Sequence, residues 1–238
     1  MTGIAFYKKK PEEKNTVFEA IGNKIGIPAA AVEKDWWVVQ TLALIQQMDA
    51  ASYIVFKGGT SLSKAWGVIN RFSEDIDLAL DKRFLGIEEC TTVKQVKKLR
   101  SATRKYIYDS FIPELQNLYS KTGFSDALVE LYDGAGKNLE PVQILVKFNR
   151  CTSRSTYTSP DVKIEIGSRS LQEPFTPRQF SSLVGEFYPN KPFADAPIVF
   201  PCVNPERTLL EKLFLLHEEF QKPKDEIRVA QDYARGFR

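Results

Sequence analysis

Val55-Phe56-Lys57-Gly58-Gly59-Thr60-Ser61, followed by Ser73-Glu74-Asp75-Ile76-Asp77-Leu78-Ala79-Leu80, decides how this chain is read. The apolar, β-prone run Tyr53-Ile54-Val55-Phe56 predicts a strand that stops at the glycine pair. Glycines there permit a tight turn and a close approach of backbone to a ligand, because no Cβ intervenes. Thr60 or Ser61 then serves as the expected N-cap of a helix over residues 62–69. A helix start above such a turn aims backbone N–H groups at its occupant, which suits phosphate. The second segment reads as a strand, so Asp75 and Asp77 share one face while Ile76, Leu78 and Leu80 enter a core. Neighbouring carboxylates repel, and Mg²⁺ is commonly held by one or two carboxylates together with phosphate oxygens. The combination predicts metal-assisted phosphoryl or nucleotidyl transfer. A surface turn with two solvated aspartates is the plainer alternative.

The first 14 residues read as a loose basic arm. Thr16 and Glu19 have the spacing of a capping box and predict a short helix. Pro28 is the expected first residue of a second helix reaching about residue 48, with Val32, Trp36, Val39 and Ala43 at helical spacing and Trp36 in the core. Downstream of the aspartates, residues 92–119 predict one long helix with a break at Pro113. Its first half carries Lys94, Lys97, Lys98, Arg100, Arg104 and Lys105, followed by Tyr106 and Tyr108. That pattern suits either an RNA backbone or a solvated face. Residues 125–132 are read as a further helix, and Gly134-Ala135-Gly136 lacks the context of a dinucleotide fingerprint.

Residues 142–148 and 162–166 predict two strands. In the second, Lys163 and Glu165 share a face opposite Val162, Ile164 and Ile166. Arg150, Arg154 and Arg169 flank this pair, a weak signal for triphosphate or RNA. Residues 172–196, with four prolines, read as an irregular linker, and residues 198–200 as a short strand. Residues 207–220 predict a helix with Leu209, Leu213, Leu216 and Phe220 on one stripe. Lys212 lies at its margin, and the single histidine, His217, packs within it.

With 238 residues, 43% hydrophobic and 26% charged, the chain suits one large domain or two lobes with an ample core. A formal charge of +3 permits a nucleic-acid partner without demanding one. No run approaches the roughly 20 apolar residues of a membrane span, and the start has no signal-peptide pattern. Cys90, Cys151 and Cys202 offer neither zinc spacing nor a disulfide framework, so a cytoplasmic location is expected.

The run from Lys57 through Ala65 and that from Arg71 through Leu78 closely resemble the signature of the AbiEii/AbiGii toxin family. These are DNA polymerase β-like nucleotidyltransferases, with the MenT toxins as relatives. The resemblance continues at Glu33-Lys34-Asp35-Trp36-Trp37, at Pro205-Glu206-Arg207-Thr208 and at Glu211-Lys212-Leu213. It implies an α+β fold: a mixed sheet flanked by helices, with a catalytic lobe over residues 1–171 and a linker and helical lobe over 172–238. It further implies that Asp75 and Asp77 hold Mg²⁺ or Mn²⁺. Lys57, Gly58, Gly59, Thr60, Ser61 and Arg207 would meet a nucleoside triphosphate, Lys212 would face phosphate, and Glu165 would be a third carboxylate. The implied activity is nucleotide transfer to RNA, tRNA foremost, by the toxin of a toxin–antitoxin or phage-defence pair with a cognate antitoxin. The family's final aspartate-bearing element has no match here beyond Asp232, which implies a truncated or altered end and impaired turnover. Two rivals stand beside this reading: a nucleotide- or RNA-binding protein without turnover, and a phosphotransferase acting on RNA or protein hydroxyls.

Overall fold

Alternation along the chain builds a mixed sheet. The computed structural model describes residues 3–69, 75–132, 141–153, 161–169 and 174–222. Within them the strands are β1 (Ile54–Lys57), β2 (Ile76–Leu80), β3 (Leu128–Leu131), β4 (Val142–Lys147), β5 (Val162–Gly167), β6 (Phe175–Phe180) and β7 (Ile198–Val203). They form one seven-stranded sheet in the order β3-β4-β5-β2-β1-β7-β6. The pairs β2–β5 and β1–β7 are parallel, and the remaining neighbours are antiparallel. Ile76, Leu78, Leu80, Ile164 and Ile166 project into the main core, as their period-2 spacing requires.

That core is covered by α2 (Pro11–Ile25) and α3 (Ala29–Ile45). Nearly every residue of α3 is buried, including the Glu33-Lys34-Asp35 triplet, as expected of a helix apolar on all sides and packed within a protein. Trp36 and Trp37 both lie in an aromatic cluster with Phe6, Phe124 and Phe148. Charged groups at that depth require partners. Glu33 accepts hydrogen bonds from the backbone N–H and thiol of Cys151 and from the backbone N–H and hydroxyl of Thr152. Asp35 accepts from Leu183 N and pairs with Lys64, 2.9 Å away.

Several elements differ from their sequence reading. The supposed basic arm contains α1 (Ile4–Tyr7) and the start of α2, anchored by the fully buried Phe6. Pro11 opens α2, so Thr16 lies inside it and its hydroxyl donates to the Glu12 carbonyl instead of capping. Pro28 precedes α3 as its N-cap residue. The long basic helix is divided into α5 (Val93–Tyr106) and α6 (Ile112–Thr122) by a widened turn at Ile107–Phe111. Pro113 has no N–H for a preceding carbonyl, and the wider turn accommodates its ring. Residues 125–132 hold β3, not a helix; the Gln116 side chain bonds Ala127 O and Val129 N and fastens it to α6.

The expected linker carries β6 and α7 (Leu183–Phe187). Pro177 is tolerated because β6 lies at the sheet edge, where a missing N–H disrupts no ladder. The helix α8 (Pro205–Phe220) exposes Leu209, Leu213, Phe220 and His217, so its stripe does not face a core among the described residues. Among the described residues no helix is long and apolar enough to cross a membrane. Gly134, Gly136, Arg154 and Asp232 lie outside the described residues.

Candidate active site

A row of polar side chains crosses four adjacent strands. Register pairs Lys57 of β1 with Asp77 of β2, Asp77 with Glu165 of β5, and Glu165 with Gln143 of β4. Directly paired residues in a sheet share a face. The four therefore stand side by side on the face opposite the main core. Gln143 Nε2 donates to Glu165 Oε1 at 2.8 Å. Asp75, just ahead of β2, projects to the same side, and Lys163 reaches both carboxylates. Its Nζ lies 3.0 Å from Asp75 Oδ2 and 3.0 Å from Glu165 Oε1.

The glycine turn is shaped around Asp77. Gly58 has φ +76°, and a Cβ there would lie 1.9 Å from Asp77 Oδ2. Only glycine fits, both for backbone conformation and for space. The helix α4 (Gly58–Lys64) starts at this glycine, with Lys57 as the N-cap residue, so neither Thr60 nor Ser61 caps it and it ends at Lys64. Both hydroxyl residues are buried, and Thr60 Oγ1 donates to the Asp75 carbonyl at 2.5 Å. That bond ties the turn to the aspartate strand. Lys64, from the same motif, is committed to Asp35 and Glu186 at 2.9 and 3.1 Å and so braces α4 against α3 and α7.

The helix α8 supplies the opposite wall. Lys57 Nζ is 3.5 Å from Glu211 Oε2, and Arg207 Nε is 3.5 Å from Glu211 Oε1. A cavity of about 490 Å³ opens between the sheet and this helix, lined among others by Lys57, Asp77, Glu165, Arg169, Glu211 and Phe214. The volume suits a small organic ligand.

Burial pushes the Asp77 carboxyl up to about 7; Glu165 and Asp75 add to the rise, and Lys57 and Lys212 oppose it. Burial also raises Asp75, against the pull of Lys163 and Lys34. Burial alone would lower Lys163, but Asp75 and Glu165 outweigh it and hold the ammonium above its ordinary range. Crowded carboxylates kept near neutrality of charge by converging lysines are a common feature of functional clefts.

The structure thus brings together Lys57, Gly58, Asp75, Asp77 and Glu165, and sets Lys212 within electrostatic reach of Asp77. Arg207 is placed on Glu211, and the side chains of Thr60 and Ser61 face inward. Lys163, Gln143 and Lys34 were not singled out by sequence reasoning. The signal for Lys163 was its shared strand face with Glu165, and that for Lys34 its place in the Glu33–Trp37 stretch; Gln143 gave none.

The family model described as "Nucleotidyl transferase AbiEii toxin, Type IV TA system" matches residues 41–234. No curated protein matches the chain. Among solved structures, the chain is similar to MenT4, a nucleotidyltransferase toxin from Mycobacterium tuberculosis H37Rv, at 18% sequence identity and a TM-score of 0.49. The alignment covers 88% of this chain and 66% of that one, so the chain spans just under two thirds of that protein's length.

Proposed function

Because the chain belongs to the AbiEii nucleotidyltransferase toxin family, we propose that it transfers a nucleotide from a nucleoside triphosphate to an RNA hydroxyl, with tRNA the foremost acceptor. On this reading it is the toxin of a toxin–antitoxin or phage-defence pair, working in the cytoplasm and restrained by a cognate antitoxin. The observation that carries the reading is the register of Lys57, Asp77 and Glu165 across three neighbouring strands at the floor of one cavity.

The donor set fits a hard divalent cation. Asp75 and Asp77 offer carboxylate oxygens on one face, and burial of Asp77 beside Glu165 and Asp75 favours an added positive charge there. Among the described residues no three acidic, His or Cys side chains converge into a metal cage. Asp75 and Asp77 would therefore hold Mg²⁺ or Mn²⁺ jointly with ligand oxygens, as magnesium sites on phosphates usually do. When bound, the cation would supply charge stabilisation at the phosphates.

The chain's own groups do the rest. The turn at Gly58 packs directly against Asp77, and the triphosphate would lie over it, with Gly59, Thr60 and Ser61 contributing through backbone only. Lys57 and Lys212 oppose the negative charge that builds on the transferring phosphate, with Arg207 steadying Glu211 nearby. The acceptor oxygen bonds to the α-phosphorus, the bond from that phosphorus to pyrophosphate breaks, and the hydroxyl proton passes to a carboxylate of the row. For the RNA path, α5 offers exposed Lys94, Lys97, Lys98 and Lys105. The bond of 2.8 Å from Thr103 Oγ1 to Ser168 Oγ couples that helix to the segment bearing Arg169, on the cavity wall.

The test incubates the purified chain with total tRNA and each nucleoside triphosphate, labelled separately at the α and γ positions. Label retained in RNA from the α position alone is the expected result. Retention of γ label indicates a phosphotransferase, and retention of neither indicates a binding protein.

A further inference from the structure

Lys163 has a place in the site that no phosphate-binding role explains. Its strand neighbour at the next outward position, Glu165, lies in the polar row, and Asp75 faces it from just ahead of β2. Two ion pairs of 3.0 Å result, at the length of charge-assisted hydrogen bonds. Lys57 and Lys212 bear on Asp77 instead, and Lys57 is also drawn toward Glu211. The three carboxylates are therefore divided. Asp75 and Glu165 each commit one oxygen to the Lys163 ammonium, and Asp77, the direct register partner of Glu165, lies against the glycine turn.

We propose that Lys163 is the resident cation of the site: its ammonium fills the gap between Asp75 and Glu165, so that the chain takes one divalent cation, on Asp75 and Asp77, where three carboxylates could otherwise take two. This inference rests on the nucleotidyltransferase reading above. Three carboxylates on two parallel strands repel one another when no metal is bound. A tethered ammonium holds them together at all times and cannot be lost by chelation. A second divalent ion between Asp75 and Glu165 would have to sit within bonding distance of oxygens that already touch an ammonium. Like charges at such separations, partly withdrawn from water, repel strongly. Lysine thus fixes both the charge of the site and its metal stoichiometry. Its reach also orients Glu165, whose other constraint is the hydrogen bond from Gln143.

The experiment counts Mn²⁺ bound to the full chain by electron paramagnetic resonance of the free ion, without nucleotide. Wild-type protein is expected to bind one ion and to unfold at a higher midpoint in Mn²⁺ than in EDTA by no more than that single site supplies. Lys163→Met, which keeps the length but not the charge, is expected to bind a second ion, to bind the first about tenfold or more tightly, and to become more dependent on Mn²⁺ for stability. Two ions on the wild-type chain, or a single ion of unchanged affinity on Lys163→Met, overturns the proposal. The wild-type count decides the matter alone if the variant does not fold. An Asp77→Asn chain that binds Mn²⁺ as wild type does would instead overturn the assignment of the metal to Asp75 and Asp77, which is a failure of the functional reading and not of the role of Lys163.

Discussion

Replacing Asp77 by Asn should make the metal-free protein more stable while abolishing its function. The carboxyl of Asp77 is pushed up to about 7 from an ordinary value of 3.8, with burial the main cause and Glu165 and Asp75 contributing. A folded-state pKa above the unfolded one means that the folded chain binds more protons between those two values. Stability then falls as pH rises from about 4 to about 7, and the loss is complete above that range. The shift corresponds to a cost on the order of 4 kcal/mol at about pH 8 and on the order of 2 kcal/mol at about pH 5, where the group is still mostly protonated in the fold. Asparagine keeps the shape, so the close packing against Gly58 is retained, and removes the charge. Urea unfolding in EDTA at both pH values measures the effect. Asp77→Asn should gain a few kcal/mol over wild type at pH 8 and clearly less at pH 5. An equal or lower stability of the variant at pH 8, or a gain that does not vary with pH, would mean that the Asp77 charge carries no such cost in the fold.

Gly58→Ala should be far more damaging than Gly26→Ala, because both glycines have positive φ but only at Gly58 does a Cβ meet another group, the Asp77 carboxylate. Denaturation should show about 1 kcal/mol for the strain at Gly26 and distinctly more at Gly58. Lys64→Met leaves Asp35 and Glu186 without their buried partner and should cost about 3–5 kcal/mol by the same measurement, with no metal dependence. Reversal of Lys94, Lys97 and Lys98 to Glu should weaken RNA binding and flatten its dependence on salt without altering nucleotide affinity; an unchanged salt slope moves the RNA path off α5.

The elements that were legible in the sequence are those whose pattern is local. Alternation placed Ile76, Leu78 and Leu80 opposite Asp77, and Ile164 and Ile166 opposite Glu165, and the structure has them so. The pairing of Asp77 with Glu165 was not legible, because 88 residues separate them and parallel register depends on the whole sheet. Short apolar runs are ambiguous between helix and strand, which is why β3 was read as helical. Prolines disguised β6, whose edge position removes the penalty they would carry in a central strand. Charges on α3 gave no sign of burial, since the partners that satisfy Glu33 come from Cys151 and Thr152, 118 and 119 residues away. The stripe on α8 was read as inward because periodicity reports that a helix has an apolar face and not what covers it.

Asp75 and Asp77, over the Gly58 turn, are proposed to hold a metal–nucleotide complex. Calorimetric titration of a magnesium-bound nucleoside triphosphate, made non-hydrolysable between the α and β phosphates, tests it most directly when run on wild type and Asp77→Asn in parallel. One binding event is expected on the wild-type chain and none on a variant whose circular dichroism is unchanged. Equal affinity in the two proteins would contradict it.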